Sequence, residues 1–386
     1  MEISIHESDL NHILWGSALL GSGGGGAVWA GQTFVDLIAK HKKPVKMLTF
    51  PLTGEEKDQL ACILCDIGSI NAFDERQADA LLHAYRKLAE HFAHLGPLQT
   101  VVPIETGPEN TLAPFVVAAE HGLSVLDADG AGRAVPTLPL STFSVTGINN
   151  WRPVIMSNGN GDIVSVNSHR FDHYDNLLRS LAHVDHFSDS ASLAMWPDRI
   201  GALVTGAVPG TITRALNCGR LLEGLREHIT ERVSQSLDVV NQLNAYLIGT
   251  GTINDVHISD DEGFAFSTVK IENQIDGHTL TVLSQNESLL VYNTACPGPV
   301  AMAPDSICFL GQDLYPYTNS EIRDCKTPVH VIGIQAHGQL RHPKIMAGFR
   351  HIMEQLGYAG GASIYTGATK PLGDLIVELS RNTLNN

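Results

Sequence analysis

Two stretches of this sequence carry residues whose types and spacing suit acid–base chemistry and the binding of a polar ligand. The first is the run Gly21-Ser22-Gly23-Gly24-Gly25-Gly26, where several backbone N–H groups can turn toward an anion ahead of a helix. The second is a set of acids, Glu105, Asp127 and Asp129, followed by Arg133. Carboxylates gathered in one place can polarise water, hold a cationic ligand edge or ligate a divalent ion. Arg133 can clamp a substrate carboxylate in bidentate fashion, or pair with Asp129. Each feature also has an ordinary structural use. A glycine run makes a flexible helix–helix turn, and Asp at a strand end caps and turns the chain. The run is not a dinucleotide fingerprint, because a helix rather than a strand precedes it, and it lacks the Gly-Lys-Ser/Thr of a phosphate loop. No nucleotide cofactor is expected.

Other chemistry-bearing residues are weaker. Cys62 and Cys65 form a C-x-x-C inside a continuous apolar run that reads as a strand. Residues three apart on a strand face opposite ways, so these thiols should not share a metal or a disulfide. His169-x-x-x-His173 and His183-x-x-His186 have ligand-like spacing on helical patterns, but no Glu completes a zincin arrangement. No G-x-S-x-G elbow is present. Gln285-Asn286-Glu287 lies between two β runs, either as a polar hairpin turn or as a ligand contact.

The elements that must position these groups follow from periodicity. Leu10, Ile13, Leu14, Ser17 and Ala18 give a helix that stops near Gly21, and a second helical pattern follows the glycines. Strands are expected over 45–50, 60–66 and 98–104, with helices over 75–94 and 109–121 and a further strand from Ser124. This alternation is the mark of crossover units and a largely parallel sheet. Its strands should end at Asp66, Glu105 and Asp127, where open parallel sheets bind ligands. After Gly147 the pattern changes: helices over 174–184 and 211–228 precede short strands at 279–284, 288–292, 307–310 and 329–334. The expected architecture is an α/β domain over 1–165 and a C-terminal domain over 166–386, rich in antiparallel β with helices near its start.

Composition narrows the function classes. With 386 residues and 43% hydrophobic content, the chain can bury two cores. Acidic residues outnumber basic ones 41 to 25, which repels phosphate backbones and anionic lipid heads. Neither nucleic acid nor a membrane is an expected partner. Six cysteines in so long a chain fit a reducing compartment, and the start of the chain lacks a signal-peptide pattern, so a cytoplasmic location is expected.

Taken together, the glycine run, Ile104-Glu105-Thr106-Gly107-Pro108-Glu109-Asn110, Leu126-Asp127-Ala128-Asp129-Gly130-Ala131-Gly132-Arg133-Ala134-Val135-Pro136, Pro209-Gly210-Thr211, Gly219-Arg220, Gln285-Asn286-Glu287 and Val331-Ile332-Gly333-Ile334 resemble the S-methyl-thiohydantoin desulfurase-like proteins in content and order. The resemblance runs from about residue 8 to 340. It departs at Gly68-Ser69-Ile70, where relatives have Gly-Ala-Pro, at Gly107-Pro108 for Gly-Gly, and at Val135 for Phe; Glu75 lines up with an acid in relatives.

The resemblance implies hydantoin-type chemistry and a small-molecule substrate, and points to a hydantoinase-type partner. The resulting expectation is a hydrolase in which water attacks a ring carbon bearing a thioether and a thiol leaves. Glu105 or Asp129 would act as base, Arg133 would hold an acidic substrate tail, and Asp127 would orient Arg133 or bind ring N–H groups. Gly23, Gly24, Gly25, Gly26, Asp66, Glu75, Asn110, Asn286 and Glu287 are the expected substrate contacts. Whether the acids hold a divalent metal is left open, as is homo-oligomerisation. The alternatives are a non-catalytic partner of a hydantoinase-type enzyme and a small-molecule binding protein.

Overall fold

The computed structural model describes residues 1–69, 76–146, 148, 152–170, 173–227, 245–261, 263–273, 277–358, 360 and 370–371. The chain opens with β1 (Glu2–Ile5), α1 (Glu7–Leu20), α2 (Val28–Ala39), β2 (Val45–Leu48), α3 (Gly54–Asp58) and β3 (Leu60–Gly68). It continues through α4 (Gln77–His91), β4 (Leu98–Pro103), α5 (Ala113–His121), β5 (Ser124–Leu126) and β6 (Ala128–Asp129). Next come β7 (Val154–Ser157), β8 (Ile163–Val166), α6 (Tyr174–Ala182), β9 (Ser190–Arg199), α7 (Ile200–Leu203), β10 (Val208–Pro209) and α8 (Thr211–Glu227). The second half holds β11 (Ala245–Asp261), β12 (Phe264–Glu272), β13 (Thr279–Gln285), β14 (Glu287–Asn293), β15 (Pro299–Met302), β16 (Ser306–Gly311), β17 (Pro316–Tyr317), β18 (Val329–Ile334) and α9 (Pro343–Gln355).

The first sheet has the order β1-β2-β5-β4-β3-β9-β7-β8. Its four central strands, β2, β5, β4 and β3, run parallel, as the alternation of strand and helix requires. Antiparallel strands extend both flanks. Both faces are covered, so β3 reads as an unbroken apolar run. Leu60, Cys62 and Leu64 pack under α1, α2, α4 and α5, while Ala61, Ile63 and Cys65 face α6 and α7. The two thiols thus lie on opposite faces of one strand, buried and unpaired.

Three boundaries differ from the sequence expectation. β3 runs past Asp66 to Gly68 because β9 pairs with it, Asp66 opposite Ser192. β4 ends at Pro103, before Glu105. Residues 107–112 form tight turns, with Thr111 N–H donating to Gly107 O, and α5 begins only at Ala113. The His pairs flank α6 rather than lie within it: His169 and His173 precede it, and His183 and His186 follow.

The second sheet is antiparallel throughout its path, β15-β14-β13-β12-β11-β18-β16-β17. β11 serves two partners in succession, β18 along 245–251 and β12 along 252–261, with register shifts at Leu247/Gly249 and Ile253/Asp255. Those bulges bend the strand and let the sheet fold back around Val269, Val282, Val291, Phe309 and Val331. The halves meet where α8 docks on α1. The contact needs glycine on both helices: a Cβ at Gly16 would lie 1.8 Å from Ala215 O, and one at Gly219 1.9 Å from His12 O.

Candidate active site

A small cavity of about 70 Å³ opens at the carboxyl ends of β3 and β4. Asp66 and Ser69 come from the end of β3, and Glu105, Glu109 and Asn110 from the turns after β4. Gly25 and Gly26 enter from the loop between α1 and α2, Arg179 from α6, and Asn286 and Glu287 from the turn between β13 and β14. Ile67, Ile104, Val135 and Leu138 supply an apolar wall.

Each polar group is held by the fold. Asn110 accepts from Asp66 N–H at 2.7 Å and donates to Glu105 Oε1 at 2.7 Å, so one amide ties both strand ends together. Val135 N–H donates to Glu105 Oε2 at 2.7 Å. Asp66 Oδ1 accepts from Ser192 Oγ at 2.5 Å and Gln77 Nε2 at 2.8 Å. The Asp66 and Glu109 carboxyls face one another and share a hydrogen bond that only a proton between them can make. Asn286 reaches φ 55° in a one-residue turn, accepting from Ala265 N–H and donating to Gly68 O, which fastens the β domain to the end of β3.

Burial raises every one of these acids. Desolvation lifts Glu105 to about 7, against hydrogen bonds from Val135 and Asn110 that lower it. It lifts Asp66 to about 6. Glu109 is pushed well above the usual range by desolvation and then by the Asp66 charge. Glu287 is raised likewise, by desolvation and then by Glu105. Desolvation also drives the Cys65 thiol far up, so it is no nucleophile at neutral pH.

These shifts fix the sign of a pH effect on stability. The folded protein holds protons on Asp66, Glu105 and Asp129 up to about 6, 7 and 6, whereas the ordinary values are 3.8, 4.5 and 3.8. Between those limits the native state binds more protons than the unfolded chain, so stability should rise as pH falls from about 7 toward 4.5. Urea titrations across that window check this, and a midpoint that falls with acidification contradicts it.

The glycines explain themselves by what they touch. A Cβ on Gly24 would lie 2.1 Å from Glu287 Oε1, and one on Gly25 2.6 Å from Gly107 Cα. Gly23 abuts the Asn319 side chain. Gly26, at φ +96°, would put a Cβ 2.2 Å from Glu109 Cβ. Gly26→Ala should therefore cost about 1–3 kcal/mol through its backbone angle alone and displace Glu109 as well. Thermal unfolding of the variant tests this. Ser22 is a docking residue: its Oγ donates to Ser288 O at 3.1 Å and accepts from Ile307 N–H at 2.9 Å.

The structure brings Gly25, Gly26, Asp66, Glu105, Asn110, Asn286 and Glu287 together and leaves Gly23, Gly24, Asp127, Asp129 and Arg133 outside the lining. Asp127 caps α8, accepting from Thr213 N–H at 2.9 Å and Thr213 Oγ1 at 2.6 Å, rather than orienting Arg133. Asp129 accepts from Ala131 and Gly132 N–H at 2.8 and 2.6 Å and from Thr106 Oγ1 at 2.5 Å, which fixes the loop it begins. Arg133 is 1% exposed and donates to the carbonyls of Ala134, Pro304, Asp305 and Ser288. It therefore has no free edge for a substrate tail. Glu75 lies outside the described residues.

Two cavity residues have no signal of their own in the sequence. Glu109 stands one place before Asn110 in the Ile104–Asn110 segment, where it reads as a helix start. Arg179 lies in the helical pattern over 174–184 and pairs with Asp175 at 2.8 Å. Among the described residues, no group of three or more His, Cys, Asp or Glu is arranged to hold a metal ion, and the acids are distributed around a cavity instead.

Residues 8–168 match the family model for the S-Me-THD-like N-terminal domain, and 169–351 match that for the S-Me-THD-like C-terminal domain. Among solved structures, the chain is similar to an X-ray crystal structure of a protein from Chromobacterium violaceum, with a TM-score of 0.77 and 26% identity. The match covers 94% of this chain and 99% of that one. No curated protein matches.

Proposed function

The chain belongs to the S-Me-THD-like family, and from that premise we propose that the cavity hydrolyses a small hydantoin-type ring bearing an S-methyl group, releasing a thiol. The observation that carries the reading is the set of buried carboxyls at the carboxyl edge of the parallel strands, with different proton affinities around one small space. A volume of about 70 Å³ suits a single small ring.

Glu105, raised to about 7, is ionised in a useful fraction of molecules near neutrality and still basic enough to take a proton from water. The water oxygen bonds to the ring carbon, and the C=N electron pair moves to the ring nitrogen. That nitrogen takes the proton shared by Asp66 and Glu109. When the tetrahedral centre collapses, the C–S bond breaks and Glu105 returns its proton to the departing sulfur. The hydroxyl proton goes to the Asp66–Glu109 pair, which restores it. A ring C=O, a ring N–H and one thiol result from one water. Gly25 and Gly26 line the cavity, and their amides would stabilise developing negative charge. We place this chemistry in the cytoplasm, where the six thiols stay unpaired.

The test is thiol release from a panel of S-methyl-thiohydantoins, followed with a thiol-reactive chromophore. Wild-type turnover should depend on pH as a bell, with its acidic limb near 7 from Glu105 and its alkaline limb from the Asp66–Glu109 pair. A folded protein that releases no thiol from any member of the panel overturns the assignment, and ligand binding without turnover would then make it a binding protein.

A further inference from the structure

The lining of the cavity also constrains what a bound ring carries. Asp66, Glu105, Glu109 and Glu287 face the space, against the guanidinium of Arg179 alone among the described lining residues. Each of the three Arg179 nitrogens already donates to the protein: to Asp175 Oδ2 at 2.8 Å, Gly263 O at 3.1 Å and Pro136 O at 2.6 Å. Its charge is further spent on the Phe264 ring, 3.9 Å from centroid to guanidinium carbon. Glu287 is 2% exposed, and its Oε2 has no hydrogen-bond partner among the described residues. The Glu287 carboxyl cannot swing away toward the loop, because the Gly24 backbone packs against it. A buried acceptor on the cavity wall thus has no donor among the described residues, and a ligand is what can supply one.

We propose that the ring accepted here bears a cationic substituent, an ammonium or a guanidinium, which Glu287 binds. This rests on the reading of the cavity as the heterocycle site. A cation stabilises the ionised forms of the surrounding acids, so its binding expels protons. An anionic substituent meets carboxyls with no spare cation among the described lining residues and binds worst.

The experiment is calorimetry on the full chain with hydantoins carrying aminobutyl, butyl or carboxypropyl substituents, in buffers of different ionisation enthalpy. The aminobutyl ring should bind at least tenfold more tightly than the butyl ring, with proton release, and the carboxypropyl ring most weakly. Glu287→Gln, isosteric and checked by its thermal melt, should cut the aminobutyl-to-butyl ratio at least fivefold. If that variant does not fold, the wild-type order and the sign of proton exchange decide. Tightest binding of the carboxypropyl ring, or a ratio untouched by Glu287→Gln, overturns the proposal. So does displacement of the aminobutyl ring by zinc or manganese chloride alone. The S-methyl analogues separate the two readings. The expected binding order without thiol release sinks the desulfurase reading alone, and equal thiol release from all three rings sinks the charge inference alone.

Discussion

Glu105→Gln should lower the rate of thiol release by about 10²–10⁴-fold, the usual contribution of a positioned general base. The substitution keeps the size and shape of the side chain and removes only its capacity to take a proton. The loss should fall on kcat, with KM little changed, because the group acts on water and not on the resting ligand. The acidic limb near 7 should vanish from whatever activity is left. The fold should survive. Glu105 accepts from Asn110 Nδ2 and Val135 N–H, and a glutamine oxygen can keep one of these bonds. The lost bond costs about 1 kcal/mol, offset above neutral pH by removal of a buried charge that the fold disfavours. Unfolding curves should therefore differ little at pH 8, and the pH dependence of stability should be shallower in the variant. Undiminished turnover by Glu105→Gln would remove Glu105 as the base.

Arg133→Met should destabilise the protein by about 3–5 kcal/mol, because four buried carbonyls lose their donor at about 1 kcal/mol or more each. The guanidinium joins the two halves of the molecule. It starts in the loop after Asp129 and ends among the carbonyls of Ser288 in β14 and of Pro304 and Asp305 between β15 and β16. Methionine fills much of the volume but leaves these acceptors without a donor. Arg133→Lys should rescue little, since an ammonium cannot reproduce the planar fork that serves carbonyls on two sides. Urea unfolding of both variants is the measurement. A variant of native stability with a raised KM would restore the substrate-clamp role that the motif alone suggests.

Both predictions turn on what could be read at each level. The alternation of strand and helix over residues 45–126 dictated a parallel core, because crossover helices leave both sheet faces apolar. The end of α1 at Gly21 and the span of β18 also follow from local pattern. So does the opposite facing of Cys62 and Cys65, a consequence of period two. The gathering of Asp66 and Glu105 at one edge follows from element order, because parallel strands end on the same side, whereas Asp127, expected there by the same argument, lies outside the lining.

What the sequence did not reveal depends on partners far away along the chain. Strand β9, some 120 residues after β3, pairs with it and carries Asp66 two residues short of the strand's end. Glu109, in a tight turn, owes its direction to Gly26 and to Asp66. The D-A-D-G-x-G-R segment looks like the reacting part of the molecule, yet Asp127, Asp129 and Arg133 turn inward and hold helix α8, a loop and the domain junction. Type and spacing can establish that a charged side chain has work to do. Whether it faces a cavity or a carbonyl is decided by the tertiary structure, because in a buried setting each charge must be met by whatever group the packing of distant segments brings to it.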